Sequence, residues 1–311
     1  MNIFCAGSEG YINQIDRIRE GFNSLGHSLT NIEEADIIYC NDPSSYDSSF
    51  REKNTKAKII YNVLDLPPHC MDGEKYDISR YTYIENPYGR SYDPVELKTK
   101  LKDCDIVTCI CEEVQWQLKN WCAIDSEVIY NPIKDVSFLD LDDKDKIINQ
   151  RHVGYKYLYV GRANDPNKRF NIVAETMSIL GEPSDKLAVL GSENPQWGDY
   201  YGKVDDNILN LFYNSVEYFF FPSAFKSVGL PALESIVTKT KTIVCDDDPT
   251  TKEFWGDIGV SNDPVKIAES IKDEKWNQKC SSFVNENSDL YKIKFDKKTI
   301  AENILSVYGK I

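Results

Sequence analysis

Long apolar runs are missing from this chain. None of its 311 residues lies in a stretch approaching the ~20 consecutive apolar positions needed to cross a bilayer, so the 41% hydrophobic content reads as a soluble globular protein. The start, from Met1 to Cys5, goes straight into a strand pattern, without the basic and apolar regions of a signal peptide. Histidine is scarce, with three in all, and no Cys or His pairs stand at ligand spacing, which argues against a zinc site. His27, following Gly26, reads as a turn or packing residue. Positive charge is short: 36 Lys and Arg face 50 Asp and Glu, and the net charge of −14 opposes nucleic acid and anionic membrane surfaces. The nine cysteines are odd in number, and Cys5, Cys40, Cys109 and Cys245 fall in strand patterns. That suggests buried thiols in a reducing compartment, not a disulfide framework. Repeats and low-complexity tracts are absent as well. The expected location is the cytoplasm, or a host's cytoplasm if the heavy use of Asn, Asp, Lys, Ile and Tyr reflects a viral genome.

What is present alternates strand with helix. Strands are expected at Met1–Ala6, Ala35–Cys40, Lys58–Val63, Asp105–Ile110 and from Val128 to Pro132, with helices from Ile12 to Leu25 and Glu112 to Trp121. After them come strands at Tyr157–Val160, Leu187–Leu190, Tyr200–Val204, Val216–Phe221 and Lys241–Asp246. The intervening helices run from Phe170 to Leu180 and Asp206 to Asn214, with a short turn or helix from Thr251 to Asp257 and a last helix from Phe295 to Tyr308. Such alternation implies an α/β fold with parallel sheets covered on both faces. The chain exceeds what one core usually supports, and the charged stretch from Leu139 to Lys146 lacks a sustained apolar face. The expected organisation is a first domain at 1–135, a linker at 136–154, a second domain at 155–294 and a closing helix at 295–311.

Residues 218 to 235 carry the most information. A run too apolar for a solvent-facing strand ends sharply at Pro222 and Ser223, and a helix opens with Pro231, whose missing N–H would be unpaired there anyway. Gly229 lets backbone approach a ligand, and the free N–H groups opening the helix suit an anion. Glu234 stands one turn in, placed for a sugar hydroxyl pair. A second segment has a strand, a glycine turn at Gly161, Arg162, then Lys168 and Arg169 before a helix with apolar residues at Phe170, Val173, Ala174, Met177 and Leu180.

Pro222 and Ser223, followed by Val228, Gly229, Leu230, Pro231, Ala232, Leu233, Glu234 and Ser235, resemble the signature loop of family 4 retaining glycosyltransferases of the GT-B fold. The resemblance implies two Rossmann-like domains with parallel sheets facing a central cleft, and a last helix crossing back to the first domain. It further implies a nucleoside-diphosphate-sugar donor held mainly by the second domain. The residues matching Arg162 and Lys168 hold the donor diphosphate, whose charge grows as the glycosidic bond breaks. Gly161, Ser227, Val228, Gly229 and Leu230 would line the donor, Glu234 would bind the ribose hydroxyls, and Gly7, in the turn after the first strand, could face the cleft. No cofactor or catalytic metal is expected, since the family relies on Arg and Lys. The implied activity is that of a metal-independent, hexosyltransferase-like enzyme of glycan biosynthesis, using UDP or GDP sugars.

Departures fall on the sugar-facing side. The family shows two glutamates eight positions apart; here the first position is Lys226, followed by Ser227 and Val228 in place of Gly-Phe. The usual histidine after the strand equivalent to Lys58–Val63 is Leu64, followed by Asp65, with His69 beyond Pro67 and Pro68. Lys226 would face the transferred sugar and favour a negatively charged one, such as a uronic acid. Tyr76, Tyr81, Tyr83, Tyr88 and Tyr92, interleaved with Arg80 and Arg90, suit a sugar-containing acceptor, with Tyr88 and Arg90 its nominated contacts. Two rival readings stay open: a catalytically silent GT-B domain binding a sugar nucleotide or a partner protein, and a sugar-nucleotide epimerase of the same fold.

Overall fold

A computed structural model describes residues 1–7, 12–41, 47, 49–66, 94–139, 154–224 and 228–310. They fall into two compact units, the first holding 1–66, 94–132 and 293–310, the second 133–139 and 154–292.

The first unit contains β1 (Asn2–Ala6), α1 (Ile12–Ser24), β2 (Ser28–Leu29), β3 (Ile37–Cys40), α2 (Phe50–Lys53), β4 (Lys58–Val63), α3 (Pro94–Leu101), β5 (Ile106–Cys109), α4 (Glu112–Gln117) and β6 (Glu127–Val128). Its strands pair in parallel in the order β2-β1-β3-β4-β5-β6. Ile37, Ile38, Tyr39 and Cys40 are all fully buried, as a central parallel strand covered on both faces requires. One face is closed by Ile15, Ile18 and Phe22 of α1, packed with Ile300, Ala301, Ile304 and Val307 of the last helix, Lys297–Tyr308. The two helices touch so closely at Gly21 that a Cβ there would lie 2.2 Å from the Lys297 carbonyl oxygen. Asp296 caps the last helix by accepting from the Lys298 and Thr299 amides. Phe295 stays outside it and packs edge-on against Tyr130, with ring centres 5.1 Å apart.

The second unit contains β7 (Tyr157–Val160), a 3-10 turn (Pro166–Lys168), α5 (Phe170–Leu180), β8 (Leu187–Leu190), β9 (Asp199–Gly202), α6 (Asp206–Ser215), β10 (Tyr218–Phe221), α7 (Leu230–Val237), β11 (Lys241–Val244), α8 (Thr250–Trp255), α9 (Pro264–Lys272) and most of α10 (Glu274–Lys294). The strands are again parallel, in the order β11-β10-β7-β8-β9. Tyr157, Tyr159, Tyr218, Phe220 and Ile243 supply one face of the core, met by Phe170, Val173 and Met177 of α5 and by Ile267 and Ile271 of α9. Residues 133–139 run along α6: Ser137 and Leu139 donate their amides to Asn210 and Asn214, and Asn214 donates back to the Ser137 carbonyl.

Several elements differ from the sequence expectation for identifiable reasons. The strand expected from Val128 to Pro132 pairs at Glu127 and Val128, and beyond it the buried Asn131 donates its side-chain amide to Gln14. The helix from Glu112 changes to a π-turn over Leu118–Cys122 and stops at Ala123 in the left-handed conformation. Helix α10 was not among the expected elements. Its buried positions are Cys280, Val284, Ser288 and Tyr291, and two of these four anchor through hydroxyls donating to the carbonyls of Val237 and Phe254.

Candidate functional site

In the second unit β7 comes first, β8 and β9 are added on one side, and β10 and β11 on the other. The chain therefore reverses its direction of growth between β7 and β10, and open parallel sheets bind ligands beyond the carboxyl ends of strands at such a point. Both segments singled out in the sequence, 161–169 and 222–234, leave the sheet here.

The loop after β7 is built around Asp165. Its carboxylate, 3% exposed, accepts from Arg162 at 2.6 Å, while the Arg162 side chain is 54% exposed. A buried anion thus anchors an outward-facing cation. Asp165 also accepts from the Asn167 amide, capping the 3-10 turn, and the Lys168 amide donates to the Asp165 carbonyl. Lys168 precedes α5, as the sequence suggested. It ends the 3-10 turn, and Arg169, at φ 52°, ψ 43°, separates turn from helix. The Lys168 ammonium lies 6.0 Å from the centre of the Phe221 ring at the end of β10. The Ala224 amide donates to the Asn167 carbonyl at 2.9 Å, tying the two loops together. Gly161 leads out of β7 by donating to the Leu190 carbonyl.

Ahead of α7 stand Val228, buried, and Gly229, at φ 66°, ψ 54°. A Cβ at 229 would lie 2.9 Å from the Phe221 ring and 3.3 Å from Trp255, so both conformation and space call for glycine. Leu230 and Pro231 open α7. Glu234 follows, 2% exposed. One of its carboxylate oxygens accepts from the Tyr213 hydroxyl at 3.1 Å and the other from the Lys134 amide at 3.3 Å. Burial, together with the neighbouring Glu234 charge, holds the Tyr213 hydroxyl well above its usual pKa, so it stays a proton donor. Tyr159, beneath Gly161, is likewise raised by burial and by Asp165 and Glu193, with Arg162 opposing. The hydroxyls of Tyr159 and Ser223 are buried without a hydrogen-bond partner among the described residues.

The structure thus brings Gly161, Arg162, Lys168, Val228, Gly229, Leu230 and Glu234 to one end of one sheet. Gly7 belongs to the first unit, exposed after β1, and Leu64 is buried there after β4. Lys226, Ser227, His69, Tyr88, Arg90 and the other aromatic and basic residues of 76–92 lie outside the described residues. Sequence reading missed Asp165 and Tyr213. The order Asp165-Pro166 was available as a capping signal; nothing in the sequence pairs Tyr213 with Glu234. Among the described residues no group of three or more His, Cys, Asp or Glu is placed to hold a metal ion, and no helix is long and apolar enough to cross a membrane.

Solved structures similar to this chain show the fold. Sucrose-phosphate synthase of Thermosynechococcus elongatus superposes with a TM-score of 0.72 at 14% identity, covering 100% of this chain and 98% of the other. Anabaena HepE, solved in complex with UDP and glucose, gives 0.71 at 12% identity, covering 100% and 99%. The fold is GT-B. The chain resembles GT-B glycosyltransferases over its whole length. No family model matches it. In sequence it is 25% identical over 293 residues to an uncharacterized 41.2 kDa protein in the cps region of Klebsiella pneumoniae, a match covering 81% of this chain and 71% of that protein. An Escherichia coli O-antigen chain mannosyltransferase B matches at 30% identity over 89 residues, 26% of this chain and 23% of its own.

Proposed function

We propose that this protein is a glycosyltransferase that moves a sugar from a nucleoside-diphosphate donor to a glycan acceptor. The observation that carries the proposal is the pair of cations, Arg162 and Lys168, set on tied loops at the switch point of the second sheet, beside the glycine-opened start of α7. Arg162 and Lys168 would take the diphosphate, amides near Gly229 and Leu230 would assist, and Glu234 would meet the ribose. In the reaction the bond between the anomeric carbon and the diphosphate oxygen breaks, and the diphosphate leaves with the electron pair. The acceptor oxygen attacks from the same face and passes its proton to the departing phosphate, so configuration is retained. Fixed cations stabilise the charge that develops on the leaving group. HepE was crystallised with UDP and glucose, and the partial match to a mannosyltransferase points the same way, so UDP and GDP sugars are the donors to try first. The family resemblance supports metal independence, Lys226 a preference for an acidic sugar, and Tyr88 with Arg90 the acceptor contacts.

A thermal-shift screen of the full chain against UDP, GDP and their sugars, with EDTA present, tests the reading, since a ligand bound by the native state raises its melting temperature. The expected result is stabilisation by one nucleotide series that disappears in Arg162→Ala and Glu234→Ala. Turnover of the stabilising sugar nucleotide, with NMR assignment of the product anomer, then tests transfer and retention. Binding without transfer or hydrolysis would favour a silent nucleotide-binding domain, a reading that the burial of Glu234 against Tyr213 and Lys134 also accommodates.

A further inference from the structure

Arg169 stands in a conformation that side-chain-bearing residues avoid, because in the left-handed region the Cβ crowds the following carbonyl. It is nevertheless not glycine. Its guanidinium makes two parallel bonds to Asp247, Nη1 to Oδ1 at 3.0 Å and Nη2 to Oδ2 at 2.7 Å, with both side chains under a tenth exposed. Asn262 donates to the same carboxylate at 2.9 Å. Asp247 lies just beyond β11, so the fork spans from the loop after β7 to the loop after β11, across β10. Bidentate, desolvated pairs of this kind fix orientation as well as distance.

We propose that the Arg169–Asp247 pair is a positioning device for Lys168, a role that rests on the donor-site reading above. The 3-10 turn is pinned at its start by Asp165, which caps it and holds Arg162, and at its end by Arg169, whose amide donates to the Pro166 carbonyl. Only Pro166, Asn167 and Lys168 lie between the two pins. Asn167 spends its carbonyl on Ala224, and Lys168 is left directed at the Phe221 end of β10. With both ends fixed, the backbone of Lys168 has little freedom to turn. Without the fork, the left-handed residue loses that compensation, and relaxation of its φ and ψ would swing the residue just before it. Arg169 touches no ligand in this scheme; it sets where the cation beside it points.

Isothermal titration of the full-length protein with UDP and with GDP, in a double-mutant cycle, tests this. Arg169→Gly removes the fork but welcomes the positive φ, so a purely structural role predicts unchanged nucleotide affinity. Positioning predicts affinity at least about tenfold weaker in Arg169→Gly and in Asp247→Asn, while in a Lys168→Ala background the same changes cost less than about threefold, the non-additivity of groups acting as one. Arg169→Lys, which keeps the charge but not the fork, should recover part of the loss. Affinity in Arg169→Gly within about threefold of the wild type, or equal losses in both backgrounds, overturns the positioning role. A wild type that binds neither nucleotide, or a Lys168→Ala variant that binds as well as the wild type, overturns the donor-site reading and the positioning role with it. Loss in Lys168→Ala with none in Arg169→Gly removes the positioning role alone.

Discussion

Replacing Gly229 by alanine puts one methyl group where both backbone and neighbours exclude it. At φ 66° a residue with a Cβ costs about 1–2 kcal/mol more than glycine. The added atom meets the Phe221 ring at 2.9 Å and Trp255 at 3.3 Å, and Trp255 is fully buried, so little room exists for either ring to retreat. Overpacking of this kind adds about 1–3 kcal/mol. Taking about 3 kcal/mol for the sum, the transition of a unit this size should fall by about 6–12 °C. Differential scanning calorimetry is the assay, because the two units need not melt together and only the transition of the second should move. The same methyl displaces the first amides of α7, so UDP stabilisation should shrink in parallel. A Gly229→Ala protein whose transitions all lie within about 2 °C of the wild type would refute the argument, since by the same scaling it bounds the cost below ~1 kcal/mol.

Other expectations follow from single contacts. Glu234→Gln keeps an acceptor for only part of what the carboxylate holds, and should cost about 1–3 kcal/mol in urea unfolding while lowering nucleotide affinity; intact affinity would place Glu234 outside the site. Asp105 accepts from the Ile59 amide at 2.8 Å, from Arg51 at 2.5 Å and from Lys58 at 3.3 Å. Burial pulls its pKa up, but these donors outweigh it and hold the carboxyl below its usual range, so its stabilising effect is complete above about pH 4 and lost as pH falls through the lowered value. Asp105→Asn should accordingly flatten the acid limb of the melting temperature against pH, and an unaltered limb would contradict the assignment. Gly21→Ala drives a Cβ to 2.2 Å from the Lys297 carbonyl, so α1 and the last helix must separate, at a cost of about 1–3 kcal/mol visible in thermal unfolding.

Strands were the most legible elements because parallel strands covered on both faces are written as short unbroken apolar runs; the strand at Lys58–Val63 has the expected ends. Helix α5 was legible from its apolar stripe, start included, but the 3-10 turn before it was not, because Lys168 and Arg169 are good helix formers and nothing local announces that Arg169 turns left-handed. Helix α10 was hard to read because its buried stripe is narrow, Cys280, Val284, Ser288 and Tyr291, and two of these four residues anchor through hydroxyls. The site divides in the same way. Gly229 and Pro231 could be read from rules of backbone conformation, whereas the Glu234–Tyr213 and Arg169–Asp247 pairs join positions 21 and 78 apart in the sequence, and only the folded sheet sets their partners.

Several departures from ordinary folding rules in the second unit fall where the candidate site lies, while others, the left-handed Gln196 and Lys239 and the buried hydroxyl of Thr176, lie elsewhere. Two left-handed residues, Arg169 and Gly229, close the loops after β7 and β10. Two hydroxyls, on Tyr159 and Ser223, sit buried without a partner among the described residues at the ends of the same two strands. Asn41, just past β3 in the first unit, is fully buried with its whole carboxamide in the same condition. Each such group opposes folding, since desolvation is not repaid by a bond. Those at the carboxyl ends of parallel strands lie where the backbone turns away from the ladder and donors and acceptors are left over, as at a ligand-binding edge. Stability is supplied elsewhere, by the apolar faces of the sheets and by Gly21 and its neighbours where the last helix packs on α1. That division explains how residues as unfavourable as a buried left-handed arginine persist. The rest of the sheet over-determines their position, and the conformation they hold is the one that directs Lys168.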